Sequence, residues 1–542
     1  MSITQKPSVV LTDLAFTWPD GTPVLDRISA SFETGRTGLI GANGTGKTTL
    51  LKLIAGELTP ATGSITVAGH VGYLPQHLIL DTALTVADLL GIREKLDALR
   101  AIESGDADPR LFDTLGEAWD IDARARAVLD SFGLRNLNLD RTVGTLSGGE
   151  SILTALAGLH MTGDGVVLLD EPTNNLDRQA RHNLYEAIQA WQGALIIVSH
   201  DVTLLDFMDN TAELRTNSLT VFGGTYSAYR QHLEQEQSAA EQALRTAKQH
   251  LKIEERQRAE AQIKLARRQR YARTDFENKR KPKMVMNQRK TEAQVSAGKL
   301  RGQLDEKVDF ARRATQQQAD RIRRDARIRI DLPDPGVPRG RKLAELSDRQ
   351  ETTISVQGPE RIALTGRNGI GKTLLLETLT HAQNNSARAT QAIRHTEHIG
   401  YLPQRLDHLD DDRTILDTVR AAAPHTPTGD LRTNLARFLF RADTIHRRVG
   451  DLSGGERFRV ALAQVLLADP PNQLLVLDEP TNNLDLDSIE ELISALESYR
   501  GGLIVVSHDD AFLARLQIDS WIELDEQGLR QQHGRLTDQQ EH

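Results

Sequence analysis

The stretch Gly41-Ala42-Asn43-Gly44-Thr45-Gly46-Lys47-Thr48 decides the fold, and the chain carries its pattern twice. The second copy reads Gly366-Arg367-Asn368-Gly369-Ile370-Gly371-Lys372-Thr373. Both fit Gly-x-x-x-x-Gly-Lys-Thr, and the first follows the apolar run Thr37 to Ile40 and precedes a helical run from Thr49 to Ile54. The glycines of such a loop let backbone N–H groups curl around phosphates, and the helix start adds its positive dipole end. Lys47 and Lys372 are then placed to reach the outer phosphates, and Thr48 and Thr373 to ligate Mg²⁺.

Four further motifs recur in the same order. Tyr-Leu-Pro-Gln ends at Gln76 and again at Gln404; Leu-Ser-Gly-Gly-Glu ends at Glu150 and Glu456. Asp170-Glu171-Pro172-Thr173-Asn174-Asn175-Leu176-Asp177 returns as Asp478 to Asp485, and Ser-His-Asp centres on His200 and His508. Asp170 closes the apolar run Val166 to Leu169, which suits a carboxylate serving Mg²⁺. Glu171 and Glu479 are the natural groups to orient or deprotonate an attacking water. His200 ends Ile196 to Ser199 and could hydrogen-bond a terminal phosphate. Ser147 and its glycines open a helix, a second anion-binding end best used from the opposite half. The repeat offset falls by 22 between the glutamine (76 to 404) and signature (147 to 453) positions. The first half therefore holds an insertion, expected within residues 92–126 as an enlarged helical arm.

Apolar runs bounded by Gly, Asp or Ser alternate with helical patterns in each half, which predicts an α/β fold with parallel strands. The expected organisation is one nucleotide-binding domain over 1–226, a linker over 227–327 and a second nucleotide-binding domain over 328–542. The linker lacks the alternation. It is rich in Gln, Glu, Ala, Lys and Arg and reads as two long helices, about 229–276 and 288–327, interrupted at Pro282. At 1.5 Å per residue each would span roughly 60 Å, a projecting helical hairpin with Lys279, Arg280, Lys281 and Lys283 beside Met284, Val285 and Met286 at its tip. Net charge is −9, yet residues 241–330 hold 26 Lys and Arg against 12 Asp and Glu, leaving −23 for the remainder. A basic segment on an acidic body points to a polyanionic partner, with a solvated charged helix pair as the plain alternative.

With no cysteine in the chain, disulfides and thiolate chemistry are excluded. Met1 to Leu11 shows no apolar signal core, and no stretch approaches the roughly 20 apolar residues of a membrane span. A cytoplasmic protein is expected.

These motifs together resemble the ATP-binding cassette superfamily and, more narrowly, its ABC-F branch, over almost the whole chain. Two cassettes without membrane segments, the exit Phe222-Gly223-Gly224-Thr225-Tyr226-Ser227-Ala228-Tyr229 and the charged connector carry the branch assignment. The resemblance implies two P-loop domains joined by a helical hairpin, and ATP with Mg²⁺ sandwiched within a monomer. Gly41 to Thr48 and Gly366 to Thr373 would hold phosphates, and Thr48, Gln76 and Asp170, or Thr373, Gln404 and Asp478, would hold Mg²⁺. The first set would face Ser453 and Gly455, and the second would face Ser147 and Gly149. It further implies binding at the E site of the 70S ribosome, with the linker directed at the P-site tRNA, the surrounding rRNA and the peptidyl transferase centre, as in translation factors or in proteins protecting ribosomes from macrolide-type drugs. Alternatives are the ATPase subunit of a drug exporter with a separate membrane partner, a housekeeping translation factor, and a DNA-associated ABC-F protein.

The two halves also differ. Trp18 is positioned to stack on an adenine, whereas no aromatic residue occurs between Phe310 and Tyr401. Thr49, near the α-phosphate position, becomes Leu374 in the second copy. Ser151-Ile152-Leu153 follows the first signature where Arg457-Phe458-Arg459 follows the second. Unequal sites are expected.

Overall fold

The computed structural model describes residues 8–533 apart from 77–81, 164, 175, 216, 278–282, 322–331, 349, 351, 381–389, 441–443 and 483. The linker-tip residues Lys279, Arg280, Lys281 and Pro282 lie outside the described residues, as do the side chains of Lys283, Met284, Val285 and Met286. Two compact units form: residues 1–226 with 327–542, and residues 227–326.

Among the described residues the first cassette contains nine strands: β1 (Val9–Thr17), β2 (Pro23–Phe32), β3 (Gly35–Ile40), β4 (Thr62–Val67), β5 (Val71–Leu74), β6 (Val166–Asp170), β7 (Ala194–Val198), β8 (Asn210–Arg215) and β9 (Ser218–Gly223). β2-β1-β4 form a small antiparallel sheet, and β5-β6-β7-β3-β8-β9 a six-stranded one, parallel except for edge strand β9. β6 (VVLLD) and β7 (ALIIV) are buried at every position. Continuous apolar runs of this kind suit parallel strands covered on both faces, and explain why β6 and β7 show no polar alternation.

The second cassette repeats the plan. Its six-stranded sheet runs Ile399–Leu402, Leu474–Asp478, Gly502–Val506, Arg361–Thr365, Ser520–Asp525 and Gly528–His533 in spatial order. The halves diverge between the glutamine and signature motifs. Among the described residues the first carries α-helices Val86–Leu89, Arg93–Glu103, Pro109–Leu115 and Ile121–Ser131, the second Ile415–Ala422 and Thr428–Arg437. Phe438, fully buried, belongs to the same apolar cluster as Leu435, Phe458 and Phe512 on the second cassette's helical side.

The order of strands places the chemistry. β6, β7 and β3 are neighbours, and their carboxyl ends release Asp170-Glu171, Ser199-His200 and the Gly41–Thr48 loop respectively. Residues 130 apart in sequence therefore meet in one crevice, the usual ligand position of open parallel sheets. Gly41 has φ +150°, and a Cβ there would stand 2.3 Å from the Leu214 carbonyl oxygen; Gly366 is held the same way by the Leu524 carbonyl. Only glycine fits where the loop turns this tightly against the sheet.

The second unit consists of helices Tyr226–Glu277 and Lys283–Arg321, of 52 and 39 residues. The first starts three residues before the expected Tyr229, and the second five before the expected Gln288, directly after Pro282 in sequence. The helices join through Arg258 Nε to Asp305 Oδ1 at 2.9 Å and Arg312 to Glu255 at 3.0 Å, with Leu265, Val308 and Ala311 buried.

Phe438→Ala should lower the stability of the second cassette by about 3–5 kcal/mol, because a fully enclosed ring leaves a cavity. Urea unfolding of the variant and the unsubstituted chain measures the difference; a loss below about 1 kcal/mol would show that this cluster closes over the gap.

Candidate functional site

Each lysine of the phosphate-loop motif curls back over its own loop. Lys47 Nζ donates to the Gly41 and Ala42 carbonyls at 2.6 and 3.1 Å, and Lys372 Nζ to Gly366 and Arg367 at 2.7 and 3.0 Å. Burial holds both ammonium groups below their ordinary pKa, while Glu171 and Glu479, the foremost opposing charges, pull them back up. Thr45 and Ile370 close the loops from within, Thr45 by donating its hydroxyl to the Ala42 carbonyl at 2.8 Å and Ile370 through its N–H to Arg367 at 3.4 Å.

The glutamates sit in strained backbone. Glu171 has φ +51° and Glu479 +47°, the left-handed region that side chains other than glycine rarely adopt. Such a conformation costs on the order of 1–3 kcal/mol and persists where the surroundings over-determine it. Here the peptide is fixed by Glu171 N–H donating to Val198 at 2.8 Å and Glu479 N–H donating to Val506 at 2.9 Å. Burial pushes the Glu171 carboxyl up to about 8 against the pull of Lys47, and Glu479 up to about 7 against the pull of Arg181 and Lys372. His200 Nε2 lies 3.0 Å from Glu171 Oε1, and His508 Nε2 3.3 Å from Glu479 Oε1. Burial, reinforced by the neighbouring lysine, drives both imidazoles down to about 3, so both are neutral.

Two cavities collect these groups. One of about 490 Å³ is lined by Asn43, Gly44, Gly46, Lys47, Thr48, Thr49, Gln76, Asp170, Glu171 and His200, with Trp18 at its rim. Trp18 is 38% exposed, and Phe16 supports its ring edge-to-face at 5.0 Å. The other, about 320 Å³, is lined by Asn368, Gly369, Gly371, Lys372, Thr373, Gln404, Asp478, Glu479 and His508. Leu374 lines it where Thr49 lines the first, and among the described residues no Phe, Tyr or Trp does so. Gly41, Ala42, Thr45, Gly366, Arg367 and Ile370 frame the loops without lining either cavity.

The donor sets fit Mg²⁺ with a polyphosphate. Among its lining each cavity offers a buried aspartate (Asp170 or Asp478), a threonine hydroxyl (Thr48 or Thr373) and a glutamine amide (Gln76 or Gln404). Among the described residues no three His, Asp or Glu side chains converge as a metal cage. Mg²⁺ is commonly held by one or two protein ligands plus phosphates and water, so a sparse set is the appropriate one. Asp478 Oδ2 is buried without a hydrogen-bond partner among the described residues, an acceptor left to serve such a group.

The signatures do not line the cavities. Ser147 and Ser453 cap helices Gly148–Thr162 and Gly454–Leu466, each hydroxyl accepting from the N–H of the glutamate three residues on. Gly149 and Gly455 lie in the first turns. The cassettes meet through other residues. Asn43 N–H, in the first phosphate loop, donates to Asp485 Oδ2 of the second cassette at 2.7 Å. Arg178 pairs with Asp510 and lies 6.0 Å from the Trp521 ring centre. Leu176 and Arg181 of the first cassette line the second cassette's cavity. Sequence reasoning passed over Asp485 and Arg181. Asp485 belongs to a quoted motif, but its reach across to Asn43 depends on how the cassettes meet; Arg181 lies beyond the motif.

This doubled site and fold define an ATP-binding cassette protein. The ABC transporter family matches residues 25–174 and 350–482, and the chain belongs to that family, in its F branch. It is 32% identical to the tylosin resistance ATP-binding protein TlrC of Streptomyces fradiae, over 92% of this chain and 94% of that one. It is 28% identical to ABC transporter F family member 5 of Arabidopsis thaliana, over 92% of this chain and 72% of that one. Among solved structures, an archaeal ribosome recycling factor, aABCE1, crystallised with a ribosomal stalk protein, shares the fold with a TM-score of 0.55 at 17% identity, covering 96% of this chain and 89% of that one. Among the described residues no helix is long and apolar enough to cross a membrane.

Asp485→Asn should separate the cap from the bridge. Asp485 Oδ1 accepts from Ser488 N–H while Oδ2 accepts from Asn43; an amide retains one acceptor and turns a donor toward the other N–H. Because the chain has no cysteine, an Arg178→Cys/Asp510→Cys pair reports cassette contact cleanly. Its cross-linking yield should drop severalfold with Asp485→Asn while helix content is kept; an unchanged yield would remove Asp485 from the interface.

Proposed function

We propose that this chain is an ATPase whose two cassettes close on ATP and Mg²⁺ and whose linker works on the ribosome. Lys47 and Lys372 hold the outer phosphates; Thr48, Gln76 and Asp170, with Thr373, Gln404 and Asp478, hold Mg²⁺, which when bound neutralises phosphate charge. Glu171 and Glu479 orient the attacking water, and the neutral His200 and His508 donate toward the terminal phosphate. Ser147 with Gly149, and Ser453 with Gly455, bring a helix start to the opposite cassette's nucleotide as the halves close. Trp18 stacks on the base of the first site alone. Closure selects the form that binds the ribosomal E site, and hydrolysis releases it. The linker, over 227–327 between domains 1–226 and 328–542, contacts rRNA and P-site tRNA near the peptidyl transferase centre.

One observation carries this reading: in sequence, two phosphate-loop sites are joined by a helix pair whose region has an excess of 14 positive charges on an otherwise acidic chain. Lys and Arg neutralise phosphates with little regard to sequence, as a ribosomal surface requires. The likeness to a tylosin resistance protein over nine-tenths of both chains favours protection against macrolide-type drugs.

A Glu171→Gln/Glu479→Gln double variant should remain on 70S ribosomes in the presence of ATP. Sedimentation free of ribosomes at moderate salt would sink the ribosomal reading. In vitro translation with a macrolide panel then separates the roles: rescue by the unsubstituted chain marks a protection protein, and altered elongation without rescue marks a translation factor. Trp18→Ala should weaken ATP at the first site about tenfold, the usual worth of a base–aromatic stack, and leave the second unchanged in a fluorescent-nucleotide titration.

A further inference from the structure

Arg181 is a buried cation with no counterpart in the other half. It is 7% exposed and sits in helix Arg178–Gln189, four residues past Asp177. The matching position of the second cassette, four residues past Asp485, is Ile489, also buried. Arg181 meets Asp201 of its own cassette at 3.5 Å, and Tyr185 donates its hydroxyl to the same carboxylate. On its other side Arg181 lines the second cassette's cavity together with Lys372, Glu479 and His508. It is the foremost favourable charge acting on Glu479, and it also acts on the buried Asp509. Arg181 Nε and Glu479 Oε1 are both buried without a hydrogen-bond partner among the described residues.

A guanidinium withdrawn from water at an interface is costly unless carboxylates surround it. Here the surrounding carboxylates belong to both cassettes: Asp201 in cis, Asp509 and Glu479 in trans. The mirror-related place offers only an aliphatic side chain to Glu171, whose largest compensating charge is its own cassette's Lys47.

Resting on the ATPase reading above, we propose that Arg181 is a trans-acting positioning residue for the second nucleotide site, fixing the Glu479 carboxylate that orients water there and making turnover at that site depend on contact between the cassettes. The guanidinium supplies rigid N–H donors that a lysine reproduces only in charge. The matching position opposite the first site is Ile489, so no cation reaches Glu171 in trans from there; Arg181 shares a small cavity with Glu171 and His200 as residues of its own cassette, beside Asp201. The asymmetry of trans control therefore lies in catalysis as well as in base binding.

The test resolves the sites by background. In Glu171→Gln the remaining turnover belongs to the second site; in Glu479→Gln it belongs to the first. Arg181→Gln, close in size but uncharged, should reduce kcat at least tenfold in the Glu171→Gln background with KM for ATP within about twofold, because the carboxylate is misplaced while the phosphate cradle is kept. Arg181→Lys should recover part of that loss. The Glu479→Gln background should show no comparable drop. Equal losses in both backgrounds, a KM effect with unchanged kcat, or full activity of Arg181→Gln would each overturn the proposal, as would complete loss of turnover in Glu171→Gln alone, since the sites then fire as one. If Arg181→Gln does not fold, Arg181→Lys decides: activity equal to Arg181 at both sites, or reduced equally at both, counts against a positioning role. Absence of ATP turnover in the unsubstituted chain is a different result, and overturns the ATPase reading itself.

Discussion

The structure turns on a cluster of charges that the protein withdraws from water at the carboxyl ends of three neighbouring parallel strands. Lys47, Asp170 and Glu171 in one cassette, and Lys372, Asp478 and Glu479 in the other, are nearly fully buried. Isolated, each charge would be expensive to bury; the lysine and the carboxylates of each cassette offset one another. The glycine loops, the left-handed glutamates and the apolar strands that carry them are the means by which the chain holds those charges still.

The same constraint explains why the glutamates occupy a backbone conformation that costs energy. A glutamate continuing β6 in extended backbone would follow the pleat; the left-handed turn redirects it into the crevice beside Lys47 and His200. Burial raises both carboxyls and lowers both imidazoles, giving neutral histidines beside carboxyl groups poised nearer to neutrality than a surface glutamate. A poise of this kind suits proton handling near neutral pH.

Duplication did not yield equivalent halves. Trp18, Thr49 and a wider cavity mark the first site; Leu374, a smaller cavity and a guanidinium from the opposite cassette mark the second. The halves engage through Asn43–Asp485, whose repeat-related residues are Asn368 and Asp177, and through Arg178–Asp510, which the internal repeat does not mirror: Asp510 matches Val202, and Arg178 matches Leu486.

Much was legible in the sequence, because the phosphate chemistry demands fixed residue types at fixed spacing. The glycines, lysines, threonines and glutamates of both sites were readable from their loops, and strands β6 and β7 from their unbroken apolar runs. The long helices were readable from composition, though their starts shifted by three and five residues, since helix starts depend on capping. Contacts between residues hundreds of positions apart have no local signature. Asp485 reaching Asn43, and Arg181 entering the other cassette's cavity, were decided only by tertiary structure, where two separately encoded cassettes share one set of buried charges and each must compensate part of the other's.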